Sequence, residues 1–419
     1  MSYSSSVGDP NFRDLAEVEL IQSESRLNEL LLSIKDLRFE AFIDTEFIKR
    51  STYYPKLGLV QVLIQTAPTE SQRATEHMQV FGPWLVDPLS LDIKVLFETL
   101  LQADRWIMHA SGEDLSLIRD LCLTKTPIDQ YPPLIDTQIL LSFLGFGLQI
   151  SYQAALDQCL DITIAKAQAL SDWLARPLSD EQLTYAALDV LHLPKLLSHA
   201  EEHLNSAGQL TWALEDSKHY FLGVMSEPAD HERYLAHAHF SYSRLELARL
   251  QLICAYREAQ ARRQDLPRQH VLTHQAVIAL ALRNPQKPSE LHKLKDVSPA
   301  ERKRHGAAIT EMLADLSDKL NDQQSNACVN SNQQLPDKIP PPTKLPKPLS
   351  KLFDERLNQI ARSAGLDAQL LMRRRWKNQL LQSVKQFDPQ AHLPAELLGF
   401  REKLIALPLI ELLRSEPKA

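Results

Sequence analysis

The sequence predicts an α/β domain in front and all-helical modules behind it. Three features carry that expectation. Strand-length apolar runs alternate with helical-period segments through the first two hundred or so residues. From about residue 240 onward, apolar positions recur at three- and four-residue steps, with Pro and Asn at the breaks. An Asn/Gln-rich and then Pro/Lys-rich stretch, carrying Pro340, Pro341 and Pro342, separates two such helical segments. The implied divisions are an N-terminal extension at 1–30, the α/β domain at 31–208, a connecting segment at 209–238, a helical domain at 239–318, a linker at 319–349 and a second small helical domain at 350–419.

Along the α/β part, Phe39 to Phe47, Leu59 to Ile64 and Met78 to Val86 are short, apolar or alternating, and bounded by Pro, Gly or charge, so they read as a three-strand meander. Leu91 to Leu101 has helical spacing. Arg105 to Ala110 reads as a strand, Glu113 to Leu121 as a helix, Leu134 to Asp136 as a strand and Thr137 to Leu144 as a helix. Antiparallel strands first and crossover helices after them make a mixed sheet. In the rear, Tyr242 to Gln264, His274 to Leu282, Pro288 to Lys293 and Pro299 to Leu320 form one helical group. Leu349 to Ala364, Asp367 to Gln386 and Ala395 to Leu413 form the other.

The chain has 419 residues, 44% of them hydrophobic, with 46 Lys+Arg against 53 Asp+Glu for a net charge of −7. That apolar content can offset chain entropy, which excludes disorder throughout. The cysteines Cys122, Cys159, Cys254 and Cys328 lie far apart without a C-x-x-C pair, which points away from a disulfide framework or a zinc site and toward a reduced, cytoplasmic setting. Met1 to Pro10 is Ser-rich without a basic or apolar leader pattern, and charge interrupts every long apolar run, so neither secretion nor a membrane span is expected. The charge is uneven: residues 1–240 carry 17 basic against 34 acidic side chains, and residues 241–419 carry 29 against 19. Such a division suits a cation-binding catalytic domain followed by polyanion-binding modules, and equally suits charge complementarity within the molecule.

Four places in the front domain can carry chemistry, and all are acidic. Asp44 and Glu46 stand two apart on a predicted strand, so both carboxylates leave one face, flanked by Ala41, Phe42, Ile43 and Phe47. Such a pair clamps a cation or simply faces solvent; the apolar flanks favour the first, because uncompensated charge there is costly. Asp114 and Glu113 open a helix after the small-residue turn His109-Ala110-Ser111-Gly112, where acids also favour the macrodipole, and His109 suits a strand-end polar group. Ser179 with Gln182 forms a capping-box pattern, which starts a helix that puts Tyr185 and Asp189 at i and i+4 on one face. Asp136 ends a strand and fits an N-cap as readily as a site residue.

Taken together and in this order, these motifs resemble the ribonuclease D family of DEDD 3′-to-5′ exonucleases. Asp44-Thr45-Glu46-Phe47 followed by Thr52-Tyr53-Tyr54-Pro55-Lys56-Leu57-Gly58-Leu59-Val60-Gln61 is similar to the first exonuclease motif and its hairpin. His109-Ala110 with Glu113-Asp114-Leu115 is similar to the second motif, Leu134-Ile135-Asp136-Thr137-Gln138 to the connecting signature, and Ser171 through Asp189 to the third. Tyr185, where a histidine can stand, points to the tyrosine subclass. The resemblance implies a ribonuclease H-like mixed-sheet exonuclease domain followed by one or two all-α HRDC-like domains.

It also implies a site. Asp44, Glu46, Asp114 and Asp189 would ligate two divalent ions, Mg²⁺ or Mn²⁺, and Tyr185 would orient the attacking water. Asp136 and His109 would stand behind the ligands, supporting a ligand or a turn. Lys166 and Arg176 are possible phosphate contacts, or solvated charges near a helix start. Arg373, Arg374 and Arg375 around Trp376 form the densest basic cluster, and Arg262, Arg263 and Arg268 a second. Trp376 would stack a base or, alternatively, belong to a core with the arginines as its wet face. The implied function is removal of 3′-terminal nucleotides from tRNA precursors or other 3′-extended structured RNA, with RNA as the partner and no membrane or obligate protein partner. Two rival readings are a DNA exonuclease of the same fold and an inert RNA-binding scaffold. Against the scaffold stands the clustered negative charge, which has no use beside phosphates unless cations bridge the two.

Overall fold

The computed structural model describes residues 18–66, 79–164, 168, 170–226, 228–325, 335–386 and 393–415. The chain folds into two compact units, each gathered from segments far apart in sequence. One comprises Met1–Ile48, Leu57–Ser226 and Lys344–Ala419; the other comprises Lys49–Lys56 and Glu227–Thr343.

The first unit is built on a six-stranded sheet of β1 (Glu19–Ile21), β2 (Phe39–Ile48), β3 (Lys56–Thr66), β4 (Val80–Val86), β5 (Arg105–Met108) and β6 (Leu134–Asp136), in the order β1-β4-β3-β2-β5-β6. β3 and β4 run antiparallel, while β2, β5 and β6 are parallel neighbours, as the meander-then-crossover reading requires. Residues Leu57 to Ile64 of β3 are all buried, as expected of a central strand covered on both faces. Within the extension expected over 1–30, residues 1–17 lie outside the described residues, Glu19–Ile21 pairs parallel with β4, and helix α1 (Glu24–Ile34), capped by the Ser23 side chain, buries Leu27, Leu30, Leu31 and Ile34. Three residues are too few for a period-2 signal, so β1 left no readable pattern.

Helices α2 (Lys94–Leu100), α3 (Gly112–Leu117, continued by a π-helical turn to Cys122), α4 (Thr137–Phe143), α5 (Tyr152–Leu160), α6 (Asp180–Leu191), α7 (Leu193–Ser206) and α8 (Leu210–Met225) complete the front of this unit. α6 begins at the expected capping box, with Ser179 and Gln182 bonded reciprocally.

The second unit is helical: α9 (Arg244–Gln264), α10 (Arg268–Val271), α11 (His274–Arg283) and α12 (Pro299–Ser325). Its core runs through Leu247, Leu250, Ile253, Leu280, Ile309 and Leu313. Residues 49–56 belong here as well. The Tyr53 hydroxyl donates to Glu258, and the Asp265 carboxylate, on a left-handed residue ending α9, accepts from the Tyr53 and Tyr54 amides at 3.0 Å each.

The last helices, α13 (Lys347–Ala364), α14 (Ala368–Leu371), α15 (Arg374–Gln386) and α16 (Leu407–Ser415), rejoin the first unit. The helix expected over Asp367–Gln386 is broken at Met372, which is extended, and that expected over Ala395–Leu413 is broken at Gly399, with φ +64°. One apolar core links the helices on both sides: Leu141, Leu197 and Ala213 belong to the same cluster as Phe353, Leu371 and Leu409. An ion pair seals it. Arg401, with 1% of its side chain exposed, grips Asp216 of α8 with both terminal nitrogens and donates to the Leu370 carbonyl at 2.8 Å. A buried pair of this kind is costly to break from one side.

Candidate active site

β2 outruns its neighbour: its pairing with β5 is recorded from Glu40 to Phe42, opposite Arg105 to Ile107, and Asp44 and Glu46 follow beyond it. Alternation sends the two carboxylates to one face, and α6 presents Tyr185 and Asp189 from consecutive turns. Carboxylate oxygens of Asp44, Glu46 and Asp189 lie within 4.8 Å of one another. Asp114, in the first turn of α3, is 8% exposed and accepts a hydrogen bond from the Thr45 hydroxyl on β2. Asp44, Glu46, Tyr185 and Asp189, with His109, Tyr152 and Gln153, border a cavity of about 140 Å³; Asp114 stands outside its lining, tied to β2 through Thr45.

The electrostatics follow from burying like charges together. Burial raises Asp44 well above the ordinary carboxylate range, and repulsion from Asp114, Asp189 and Glu46 adds to it. Glu46 is pushed up to about 9 by burial and by the charges of Asp189 and Asp114. Asp189 rises to about 8, chiefly by burial, against the lowering effect of a hydrogen bond from Tyr185. Asp114 rises to about 7 for the same first reason, moderated by the Thr45 hydroxyl. Burial and the neighbouring Asp189, Glu46 and Asp44 raise Tyr185, so its phenol is protonated at neutral pH. The cavity lining contains no Lys or Arg, and burial holds His109 toward its neutral form. Four hard oxygen donors without an internal counter-ion suit divalent cations such as Mg²⁺ or Mn²⁺.

Support comes from behind. Asp136, 1% exposed, caps α4 at the Gln138 amide and accepts from the Ala110 amide (3.0 Å), the Ser111 amide (2.9 Å) and the Ser111 hydroxyl (2.9 Å). It thereby holds the turn before Asp114, where Ala110 takes the left-handed φ of +58° that costs a non-glycine residue strain. His109 lies 2.9 Å from both the Thr137 hydroxyl and the Ile150 carbonyl; the nitrogen facing the carbonyl must carry the proton.

The other basic residues divide. Arg176 uses all five donors inside the fold, on both Asp87 oxygens and the carbonyls of Gly58, Trp173 and Ala175. This corrects the expected phosphate contact, since the guanidinium is already spent on bracing β3 and the loop before α6. Lys166 lies outside the described residues. Trp376 is buried, and Arg373 lies over its ring at 5.0 Å, with Arg374 and Arg375 exposed beside it. Arg262 and Arg268 bind Glu258 within the helical unit. The roles of Thr45 and Gln153 are not readable in the sequence: Thr45 lies within the first motif but gives no cue to a partner 69 positions away, and Gln153 lies in no motif.

Comparison with known proteins locates this site in a lineage. A family model described as 3′-5′ exonuclease matches residues 18–205, and one described as HRDC domain matches residues 246–313. Ribonuclease D of Shewanella sp. (strain ANA-3) is 30% identical over 310 residues, covering 73% of this chain and 74% of that protein. The chain belongs to the ribonuclease D family. Ribonuclease D of Pseudomonas paraeruginosa (strain DSM 24068 / PA7) is 29% identical over 405 residues, covering 95% of this chain and 98% of that one. The crystal structure of Escherichia coli RNase D, described as an exoribonuclease involved in structured RNA processing, aligns with a TM-score of 0.78 and 26% identity over 96% of this chain and 100% of that one. Membership makes this chain a 3′-5′ exoribonuclease, a hydrolase of phosphodiester bonds, and removes the inert scaffold as a reading. Among the described residues no helix is long and apolar enough to cross a membrane.

Proposed function

We propose that this ribonuclease D-family enzyme removes single 3′-terminal nucleotides from tRNA precursors or other 3′-extended structured RNA, with Asp44, Glu46, Asp114 and Asp189 holding two Mg²⁺ or Mn²⁺ ions. The observation that carries this is the convergence of Asp44, Glu46 and Asp189 on a cavity lined by no Lys or Arg, with buried Asp114 close enough to repel them and all four carboxylates held above the ordinary range. Bound there, hard divalent cations supply Lewis acidity that acidifies a water and offsets charge on the scissile phosphate and the departing 3′ oxygen. The chain's own residues do the rest. Tyr185 donates to Asp189 and stands beside Glu46 and Asp44, where its phenol would orient the attacking water. Thr45 fixes one Asp114 oxygen by hydrogen bond. Asp136 and His109 keep the intervening turn in place.

RNA rather than DNA is the expected substrate, and recognition of the 2′-hydroxyl needs a donor or acceptor beside the terminal sugar. Gln153, lining the cavity, is the uncharged amide available for it. Arg373, Arg374 and Arg375, with the helices of residues 246–313, would hold the body of the RNA. The deciding experiment follows matched 3′-labelled RNA and DNA strands in Mg²⁺, Mn²⁺ or EDTA. RNA shortened one nucleotide at a time, with EDTA abolishing the reaction, supports the proposal; equal loss of DNA, or activity that survives EDTA, overturns it.

A further inference from the structure

We propose that Tyr220 is a positioning residue for Asp114, holding the turn that delivers this carboxylate by filling the space over Gly112; this rests on the reading of Asp114 as a metal ligand. α3 spans six residues, too short to be stable alone, so its first turn takes its place from what packs on it. Asp136 holds that turn from the sheet side through Ala110 and Ser111. Tyr220, from the middle of α8, holds it from the other side.

The geometry at Gly112 is demanding. A methyl group there would overlap the Tyr220 hydroxyl oxygen, while the ring carbon bearing that oxygen lies at 3.5 Å, an ordinary contact. Gly112 has no left-handed φ to justify it, unlike Gly82, Gly145, Gly147, Gly208, Gly365 and Gly399, so proximity of the phenol is the reason for glycine here. The phenol oxygen is within reach of the Gly112 amide and close enough to Asp136 and Asp114 to feel both charges. Two turns further on, Arg119 donates to the Val224 carbonyl at 2.9 Å and the Met225 carbonyl at 3.3 Å, tying the segment after α3 to the end of α8.

α8 is in turn fixed from behind. Gln209 donates to the Ala364 carbonyl at 2.7 Å, Trp212 stacks on Phe400 with ring centres 5.2 Å apart, and Asp216 carries the Arg401 pair. The strut that presses on the Asp114 turn is therefore clamped by α13–α16 and the segment between them. It also lies past residue 205, where the exonuclease family match ends.

The test is a double-mutant cycle on the full chain, read in two ways: Mn²⁺ affinity by calorimetry without RNA, and kcat against KM on a 3′-labelled RNA. Gly112→Ala should weaken Mn²⁺ binding and lower kcat by about 10-fold to 100-fold, the range for a lost partner behind a metal ligand, with KM unchanged. Tyr220→Phe alone should cost about threefold or less, well below that range, since the ring still fills the space. Combining the two should restore most of the loss, because the overlapping oxygen is gone. Should Gly112→Ala not fold, Tyr220→Leu reads the same contact: the folded variant should bind Mn²⁺ about tenfold more weakly. Absence of rescue in the double variant, or a fall in thermal stability with Mn²⁺ affinity and kcat intact, would overturn the assignment. Asp114→Asn separates the premises: if it binds Mn²⁺ like the wild type, Asp114 is no ligand and there is nothing for Tyr220 to position.

Discussion

Buried acids occur in both units of this protein, and the two units treat them in opposite ways. Glu258, with 3% of its side chain exposed, is ringed by Arg268, Arg262 and Arg233 and receives the Tyr53 hydroxyl, so its carboxyl is held below the ordinary range although burial pushes it up. Asp114 and Asp189 are buried and Asp44 and Glu46 half-buried beside one another, with no arginine or lysine in the cavity lining, and all four are raised. Where the chain supplies its own counter-charge, a buried carboxylate is a structural rivet. Where it withholds one, the neutralising charge must come from outside, as a proton or a cation.

Replacing one acid on each side tests this difference. Asp44→Asn should lower turnover by on the order of 10³-fold, comparable with losing a principal electrostatic stabiliser, while the metal-free protein becomes more thermostable above neutral pH. Turnover within tenfold of the wild type would break the assignment. Tyr185→Phe should reduce kcat by about 10²-fold, the lower end for a lost proton-handling or positioning group, and leave Mn²⁺ affinity unchanged by calorimetry. A large loss of metal binding would mean that the phenol is a ligand. Glu258→Gln should cost roughly 2 to 4 kcal/mol in urea unfolding of the helical unit, less than a fully buried pair because its arginines are partly exposed, with Mn²⁺ affinity untouched.

The smallest effect expected is a change in thermal stability with pH, and its sign differs between the two regions. Glu258 is lowered in the folded state, so its stabilisation is present above the ordinary glutamate pKa and is lost as pH falls through its own. The site carboxylates are raised to about 7, 8 and 9 at Asp114, Asp189 and Glu46, so the metal-free fold binds more protons than the unfolded chain between the ordinary range and those values. It therefore loses stability as pH rises through that window. Melting curves in EDTA from pH 4 to 9, for wild type and Asp44→Asn, should show a decline toward high pH that the substitution flattens. Because cations displace those protons, Mg²⁺ should raise the wild-type melting temperature more at pH 8 than at pH 5.5. A flat EDTA profile would mean that the acids are not repelling one another.

Much of the site was legible because short-range rules govern it. Asp44 and Glu46 share a face by strand alternation, and the Ser179–Gln182 box fixes the start of α6 and hence the common face of Tyr185 and Asp189. What was not legible depends on contacts between distant positions. Asp136 could be read as a helix cap, which it is, yet its grip on Ala110 and Ser111 arises only because β5 and β6 are neighbours. Arg176 carries no mark of its commitment to Asp87, 89 positions earlier. α8 escaped because its apolar residues serve two partners, the α3 side and the C-terminal helices, which blurs the single stripe that periodicity detects.

The interleaving of the two units bears on how the chain is made. Synthesis delivers residues 49–56 long before Glu258 and Asp265, so Tyr53 must wait, unpaired, for about two hundred residues. The front unit waits longer still: the helices that share its core with α4, α7 and α8 lie in Lys344–Ala419, more than a hundred residues after α8. A nascent or prematurely terminated product carries all four site carboxylates and Tyr185 but lacks Arg401, Phe400 and the clamp on α8. The clamp on α8, and with it the support behind the Asp114 turn, can therefore close only after residues 344–401 have been made.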